Sequence, residues 1–207
     1  MDYKNSIIFV VVKSRLYVSR LFAVVILLLV LFTGQSFPDG SVPDLSFEMT
    51  GLFLLTVCSM GRLWALMYIG GNKSKEIITD GPYSVVRHPL YLFSLIGAIG
   101  IGLASENLLV LAAIIIFYAI YYPFTILAEE KKLENRFGQM YLDYKRITPM
   151  FIPKPSLYKG PQFYVVNAND FVKEFISGMW FIWIYILFSV IEKVQDMGFL
   201  PVYLKVP

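Results

Sequence analysis

With 207 residues, 57% of them hydrophobic, 16% aromatic and only 16% charged, the chain has the balance of a polytopic membrane protein and not of a soluble domain. A net charge of +3 is too small to argue for nucleic acid, and one histidine with one cysteine leaves neither a disulfide framework nor a His/Cys metal site. The sequence predicts one all-α folding unit with about five transmembrane helices, two of them paired as a hairpin, and a cytosolic amphipathic helix.

The first span is the apolar run Leu21 to Phe32, which reaches a full bilayer length when started near Leu16 with Arg20 snorkelling. Its length and the poor small-x-small site at Gly34-Gln35-Ser36 argue for a retained helix and against a cleaved signal. Gly34 to Asp44 is a turn-rich loop, and Leu45 to Gly70 a second span. Glu48 and Arg62 interrupt that span, and each must reach a partner, an interface or a wet cavity. Cys58 in the same run reads as a buried thiol.

A polar segment, Gly70 to Glu76, leads to Asp80-Gly81-Pro82-Tyr83-Ser84-Val85-Val86-Arg87-His88-Pro89-Leu90-Tyr91. Pro89 suits the first turn of a helix, so Arg87 and His88 flank the electropositive start of the third span, Leu90 to Leu103. Such a place suits an anionic group. Ser94, Ala98 and Gly102 fall four apart and predict a stripe where another helix approaches closely.

A turn at Ser105-Glu106-Asn107 brings the chain back as Leu108 to Ala128, so the start of the third span and the end of the fourth lie on one side of the membrane. From Glu129 to Tyr144, Leu133, Phe137, Tyr141 and Tyr144 recur at helical spacing, which predicts one amphipathic helix able to lie on the membrane surface. Pro149, Pro153 and Pro155 end helicity, and a basic connector leads to a last apolar segment, Phe171 to Ile191, that spans or lies in the interface. The basic residues fall on one side and Asp39, Asp44 and Glu106 on the other, which places the amino end and the 70–91 segment in the cytoplasm.

At the cytoplasmic mouth of the hairpin Arg87 and His88 face a helix end carrying Glu129 and Glu130. A two-signed mouth suits a zwitterion with an amino-acid head. Tyr118, Tyr122, Thr125 and Glu129 share one face of the fourth helix, either as an interhelical hydrogen-bonding stripe or as the wall of a substrate groove. HExxH and a phosphate-cradling GxxxxGKS loop are missing from the sequence, and it offers no convincing Ser-His-Asp constellation, although Ser84 lies near His88.

At Arg62-Leu63-Trp64-Ala65, Gly81-Pro82-Tyr83, Arg87-His88-Pro89-Leu90-Tyr91, Asn107, Glu129-Glu130, Leu133, Phe137-Gly138, Tyr141, Tyr144 and Pro149 the chain resembles the isoprenylcysteine carboxyl methyltransferase family, and more loosely the phospholipid N-methyltransferases. The resemblance covers about residues 45–153 of a single domain spanning 1–207, with an amino-terminal helix and loop over 1–44 and a basic connector and final helix over 154–207. It implies an S-adenosylmethionine cofactor held by Lys75, Glu76, Ile77, Ile78, Tyr83, His88, Pro89, Leu90, Tyr91 and Glu129. It further implies in-line methyl transfer, here to a carboxylate, thiol or amine of a lipid-like acceptor in the bilayer. From the residues themselves, Arg87 and Arg62 are the candidates for orienting the nucleophile, and Tyr118, Tyr122 and Thr125 for the groove that holds it. No metal is expected to take part. Prenylcysteine-specific members resemble one another in an arginine where this chain has Thr125, so the familiar substrate does not carry over. The open alternatives are an NADPH-using membrane reductase of the sterol-reductase type and a lipid-binding membrane protein without turnover.

Overall fold

The computed structural model describes residues 3–69, 76–162, 166 and 168–204, and for 3–16, 170 and 174 it defines the backbone alone. Among these residues the chain is helical: α1 (Tyr3–Phe32), α2 (Val42–Ile69), α3 (Pro82–Val85), α4 (Pro89–Ala104), α5 (Leu108–Phe137), α6 (Gln139–Ile147), a 3-10 turn at Pro155–Leu157, and α7 (Ala168–Asp196). Three helical stretches, Val42–Ile69, Leu108–Phe137 and Phe171–Asp196, are long and apolar enough to cross a membrane, and Tyr17–Phe32 and Pro89–Ala104 are shorter apolar helices. This is a polytopic membrane protein, and its last apolar segment is a helix of spanning length.

The helices are grouped into two compact units. The first comprises Met1–Leu55, Gly97–Ala128 and Phe181–Pro207. Its core is Ile26, Val30, Leu55, Ile101, Val110, Ile114, Phe188 and Ile191, all buried, with Phe22 and Phe117 stacked at 3.8 Å beside it. Asn107 caps α5 by accepting hydrogen bonds from the backbone N–H of Leu109 (3.0 Å) and Val110 (3.2 Å). Its amide donates to Thr33 Oγ1 (2.6 Å) and the Gly34 carbonyl (2.9 Å), tying the end of α1 to the hairpin turn. Glu48 finds its partner in the Tyr185 hydroxyl at 3.2 Å.

Close helix approach in this unit falls on Gly100 and Ala104 of α4 and, from the expected Ser94-Ala98-Gly102 stripe, on Gly102. Gly100 and Ala104 meet Gly51 of α2, where an added Cβ would stand 2.6 Å from the Ala104 nitrogen and 2.8 Å from the Gly100 carbonyl oxygen. Gly102 meets α5 across the hairpin turn, where an added Cβ would stand 3.0 Å from the Leu111 Cα.

The second unit comprises Thr56–Ile96 and Glu129–Trp180. Here the single amphipathic helix expected from Glu129 to Tyr144 is two helices. α5 continues to Phe137, Gly138 turns the chain at φ 55° and ψ −127°, and α6 begins at Gln139. Helical periodicity in the side chains did not reveal the break, because the glycine interrupts the backbone without disturbing the apolar spacing. Gly81 adopts a similar conformation (φ 59°, ψ −132°) just before α3.

Candidate functional site

The site grows from the twelve residues that start at Asp80. Gly81 is fixed twice, by its left-handed backbone and by the Tyr68 ring, whose carbons would stand 2.3 Å from an added Cβ. Pro82 then sets the first turn of α3, and Pro89 the first turn of α4, with the His88 carbonyl accepting from Leu92 N–H at 3.0 Å. The later segment 144–159 lies along this stretch. Gly81 N–H donates to the Lys159 carbonyl (2.6 Å), Lys154 N–H to Val85 (3.0 Å) and Arg87 N–H to Pro149 (2.8 Å). Ser84 Oγ donates to the Gly81 carbonyl (2.6 Å) and accepts from Lys159 N–H (3.0 Å), while the Tyr144 hydroxyl donates to the Tyr83 carbonyl at 2.7 Å.

At the centre is Glu130, 2% exposed and surrounded by cations. Its Oε1 accepts from Arg87 Nε (3.0 Å), is paired with Arg87 Nη2 (2.9 Å) and lies 3.1 Å from His88 Nε2. Its Oε2 is paired with Lys145 Nζ at 2.8 Å. Burial alone would raise its pKa, but the hydrogen bonds from His88 and Lys145 and the Arg87 charge overcome it and bring the carboxyl to about 2. The remaining Arg87 donor, Nη1, reaches the carbonyls of Lys145 (2.8 Å) and Thr148 (2.9 Å). Beside this cluster burial pushes the Tyr141 and Tyr144 hydroxyls up.

Of the two acids expected to face Arg87 and His88, Glu130 is the one that meets them. One residue along a helix turns a side chain by about 100°, which sends the neighbouring carboxylate elsewhere. Glu129 is half-buried and takes no hydrogen bond or ion pair among the described residues. Arg87, expected to orient a nucleophile, has its guanidinium committed to Glu130 and two carbonyls. These bonds tie the end of α6 to the residues just before α4.

Of the expected cofactor contacts, Tyr83, His88 and Pro89 are buried in this unit, Leu90 and Tyr91 are half-buried, and the Tyr91 ring lies 5.8 Å from that of His88. Ile77 and Ile78 are half-buried and Glu76 is exposed, all in extended chain leading to Gly81. Lys75 lies outside the described residues. Arg62 donates through Nη1 to Ser94 Oγ on α4.

Tyr118, Tyr122 and Thr125 belong to the first unit. There the two tyrosine rings stack at 3.7 Å, and Thr125, 3% exposed, donates back to the Tyr121 carbonyl at 3.3 Å. Sequence reasoning missed Lys145, whose only signal was a base at helical spacing from Tyr141, and gave Ser94 to packing when it carries Arg62.

The chemistry present is a buried ion cluster, an adjacent carboxylate, and the start of α4.

Residues 49–140, which include this cluster apart from Lys145, match the model of the phospholipid methyltransferase family. The chain is 33% identical to the nickel-cobalt-cadmium resistance protein NccN of Alcaligenes xylosoxydans xylosoxydans over 88% of its own length and 85% of that protein's. It is 32% identical to the cobalt-zinc-cadmium resistance protein CzcN of Cupriavidus metallidurans over 91% of its length and 86% of the relative's. A protein-S-isoprenylcysteine O-methyltransferase of Schizosaccharomyces pombe is 33% identical over 40% of this chain and 35% of its own. No solved structure matches the chain.

Proposed function

We propose that this chain, which belongs to the phospholipid methyltransferase family of membrane proteins, transfers a methyl group from S-adenosylmethionine to a lipid-like or membrane-embedded acceptor bearing a carboxylate, thiol or amine. The observation that carries the reading is the division of labour between adjacent acids: Glu130 is saturated by Arg87, His88 and Lys145, and Glu129 is left for a ligand. When bound, the cofactor supplies an already activated methyl group on a sulfonium. The chain's task is then alignment and exclusion of water.

In this reading the first turn of α4, with Leu90 and Tyr91, receives the cofactor carboxylate, and Glu129 receives its ammonium or ribose hydroxyls. Tyr83, Ile77 and Ile78 give apolar cover, and His88 orients the pocket wall through Glu130. Arg87 acts at one remove, by holding Glu130 and α6. Labelled S-adenosylmethionine binding to detergent-solubilised protein tests the site: Glu129→Gln loses binding while unfolding at the wild-type temperature. Wild-type-like binding by both Glu129→Gln and His88→Ala would sink it. Incubation of membranes with methyl-labelled cofactor then identifies the acceptor.

A second reading, direct metal handling without catalysis, has one observation behind it. Carboxylate oxygens of Asp39, Glu192 and Asp196 lie within 4.8 Å of one another, and two relatives are named for metal resistance. An all-oxygen set suits hard cations better than cadmium or nickel, so methyl transfer stands first. Loss of metal tolerance in cells carrying Asp196→Asn, with tolerance kept in Glu129→Gln, would reverse that order.

A further inference from the structure

The inward and outward faces of α6 are not those its sequence suggests. Tyr141 is 1% exposed, Tyr144 bonds Tyr83, and Lys145 bonds Glu130, so these three form the inner face. Met140 and Ile147, seven residues apart and each 66% exposed, share an outer flank, and Ile152 just beyond is 82% exposed. Three large apolar side chains are thus held outward by a helix whose opposite face is locked.

The level of this flank is fixed by hydrogen bonds within the same unit. Arg87 stands two residues before Pro89, where the apolar α4 begins, and it binds the carbonyls of Lys145 and Thr148 by side chain and that of Pro149 by backbone. With 16 residues, α4 is about 24 Å long, shorter than the roughly 30 Å hydrocarbon layer, so its ends sit at or inside the layer's edge. The carboxyl end of α6 is consequently at headgroup depth. Around the apolar flank the exposed charges are Arg136, Arg146, Lys154 and Lys159, against one exposed acid, Asp143, itself 3.5 Å from Arg146.

We infer that the outer flank of α6, Met140 and Ile147 with Ile152, is inserted into the interfacial layer of the bilayer, and that Arg136, Arg146 and Lys154 bind anionic lipid headgroups there. Apolar insertion and headgroup pairing act together. The inference is independent of the methyl-transfer reading, because it needs only the membrane and the fold of this unit.

The test uses the full chain on a Cys58→Ala background, reconstituted in phosphatidylcholine vesicles with or without phosphatidylglycerol. An environment-sensitive fluorophore is attached at Met140→Cys, at Ile147→Cys or, in the loop before α2, at Asp39→Cys in turn. The expected result is blue-shifted emission at 140 and 147, quenched by lipids carrying a nitroxide high on the acyl chain, and water-like emission at 39. The shift is expected to be larger in the phosphatidylglycerol vesicles and to lose that difference in Arg146→Glu/Lys154→Glu protein. Labels at 140 and 147 as water-like as the label at 39 in both vesicles would overturn the inference. So would labels shielded from water but unquenched by lipid nitroxides, which mark a protein partner, or equal quenching in the two vesicle types, which removes the headgroup contribution.

Discussion

A carboxylate that is 2% exposed survives as an anion only because its partners stay in place, so the strongest residue-scale effects should come from removing them one at a time. Arg87→Ala leaves Glu130 buried without its main partner and should cost about 3–5 kcal/mol in unfolding measured in detergent. Lys145 is 35% exposed, so water replaces much of what it gives, and Lys145→Met should cost about 1 kcal/mol. With its carboxyl lowered to about 2 from 4.5, Glu130 contributes stability that is complete above pH 4.5 and is lost as pH falls toward 2. Glu130→Gln should abolish that acid limb of the stability profile. Glu106 behaves in the opposite sense. It is 4% exposed at a φ of 51°, and burial, a hydrogen bond with Asp44 and the nearby charges of Glu192, Asp44 and Glu48 raise its carboxyl to about 9. The fold holds Glu106 protonated while the unfolded chain ionises above pH 4.5, so stability falls as pH rises from there to about 9. Glu106→Gln keeps a carbonyl for the Gln35 amide, which now donates to Glu106 at 2.9 Å, and should raise the melting temperature above pH 7 while leaving it unchanged at pH 4.

At the scale of elements the two left-handed glycines separate backbone strain from crowding. Gly138 has nothing within 4 Å of an added Cβ, so Gly138→Ala measures the conformation alone, about 1–3 kcal/mol by thermal unfolding. Gly81→Ala carries the same strain and also drives a methyl into the Tyr68 ring, so it should be the more damaging of the two. These elements also show what could be read from sequence. The starts of α4 and α5 were legible, because Pro89 and Asn107 are local signals that act on their own neighbours. The α5–α6 break was not, because apolar spacing runs through Gly138 without change. Nor was the inner face of α6, since a tyrosine has an apolar body and a polar tip and fits a membrane surface and a buried ion cluster equally well. The choice of Glu130 over Glu129 depends on residues up to 43 positions away, which adjacent identical side chains give no means of anticipating.

For the whole molecule, the sequence-derived sidedness makes a direct prediction about labelling. On the Cys58→Ala background, a cysteine at Lys154 should react with a membrane-impermeant thiol reagent only after the cells are opened, and a cysteine at Asp39 in intact cells. Reaction of both in intact cells, or of neither, would overturn the arrangement. The helical membrane architecture was legible because lipid requires long apolar helices and composition records them directly. The grouping of those helices into two units was not, because each unit is drawn from separate stretches of chain.

The backbone bonds from Gly81 to Lys159 and from Arg87 to Pro149 set an order of assembly during synthesis. When α4 and α5 enter the membrane, Arg87 and Glu130 are already committed to its edge, but Lys145, Thr148 and Pro149 are still inside the ribosome. The anion cluster has to remain wet until those residues emerge, and it dehydrates only when they close over it. A nascent chain arrested when α5 has emerged and residue 145 is still inside the ribosome should therefore carry an inserted hairpin and a hydrated, unassembled site.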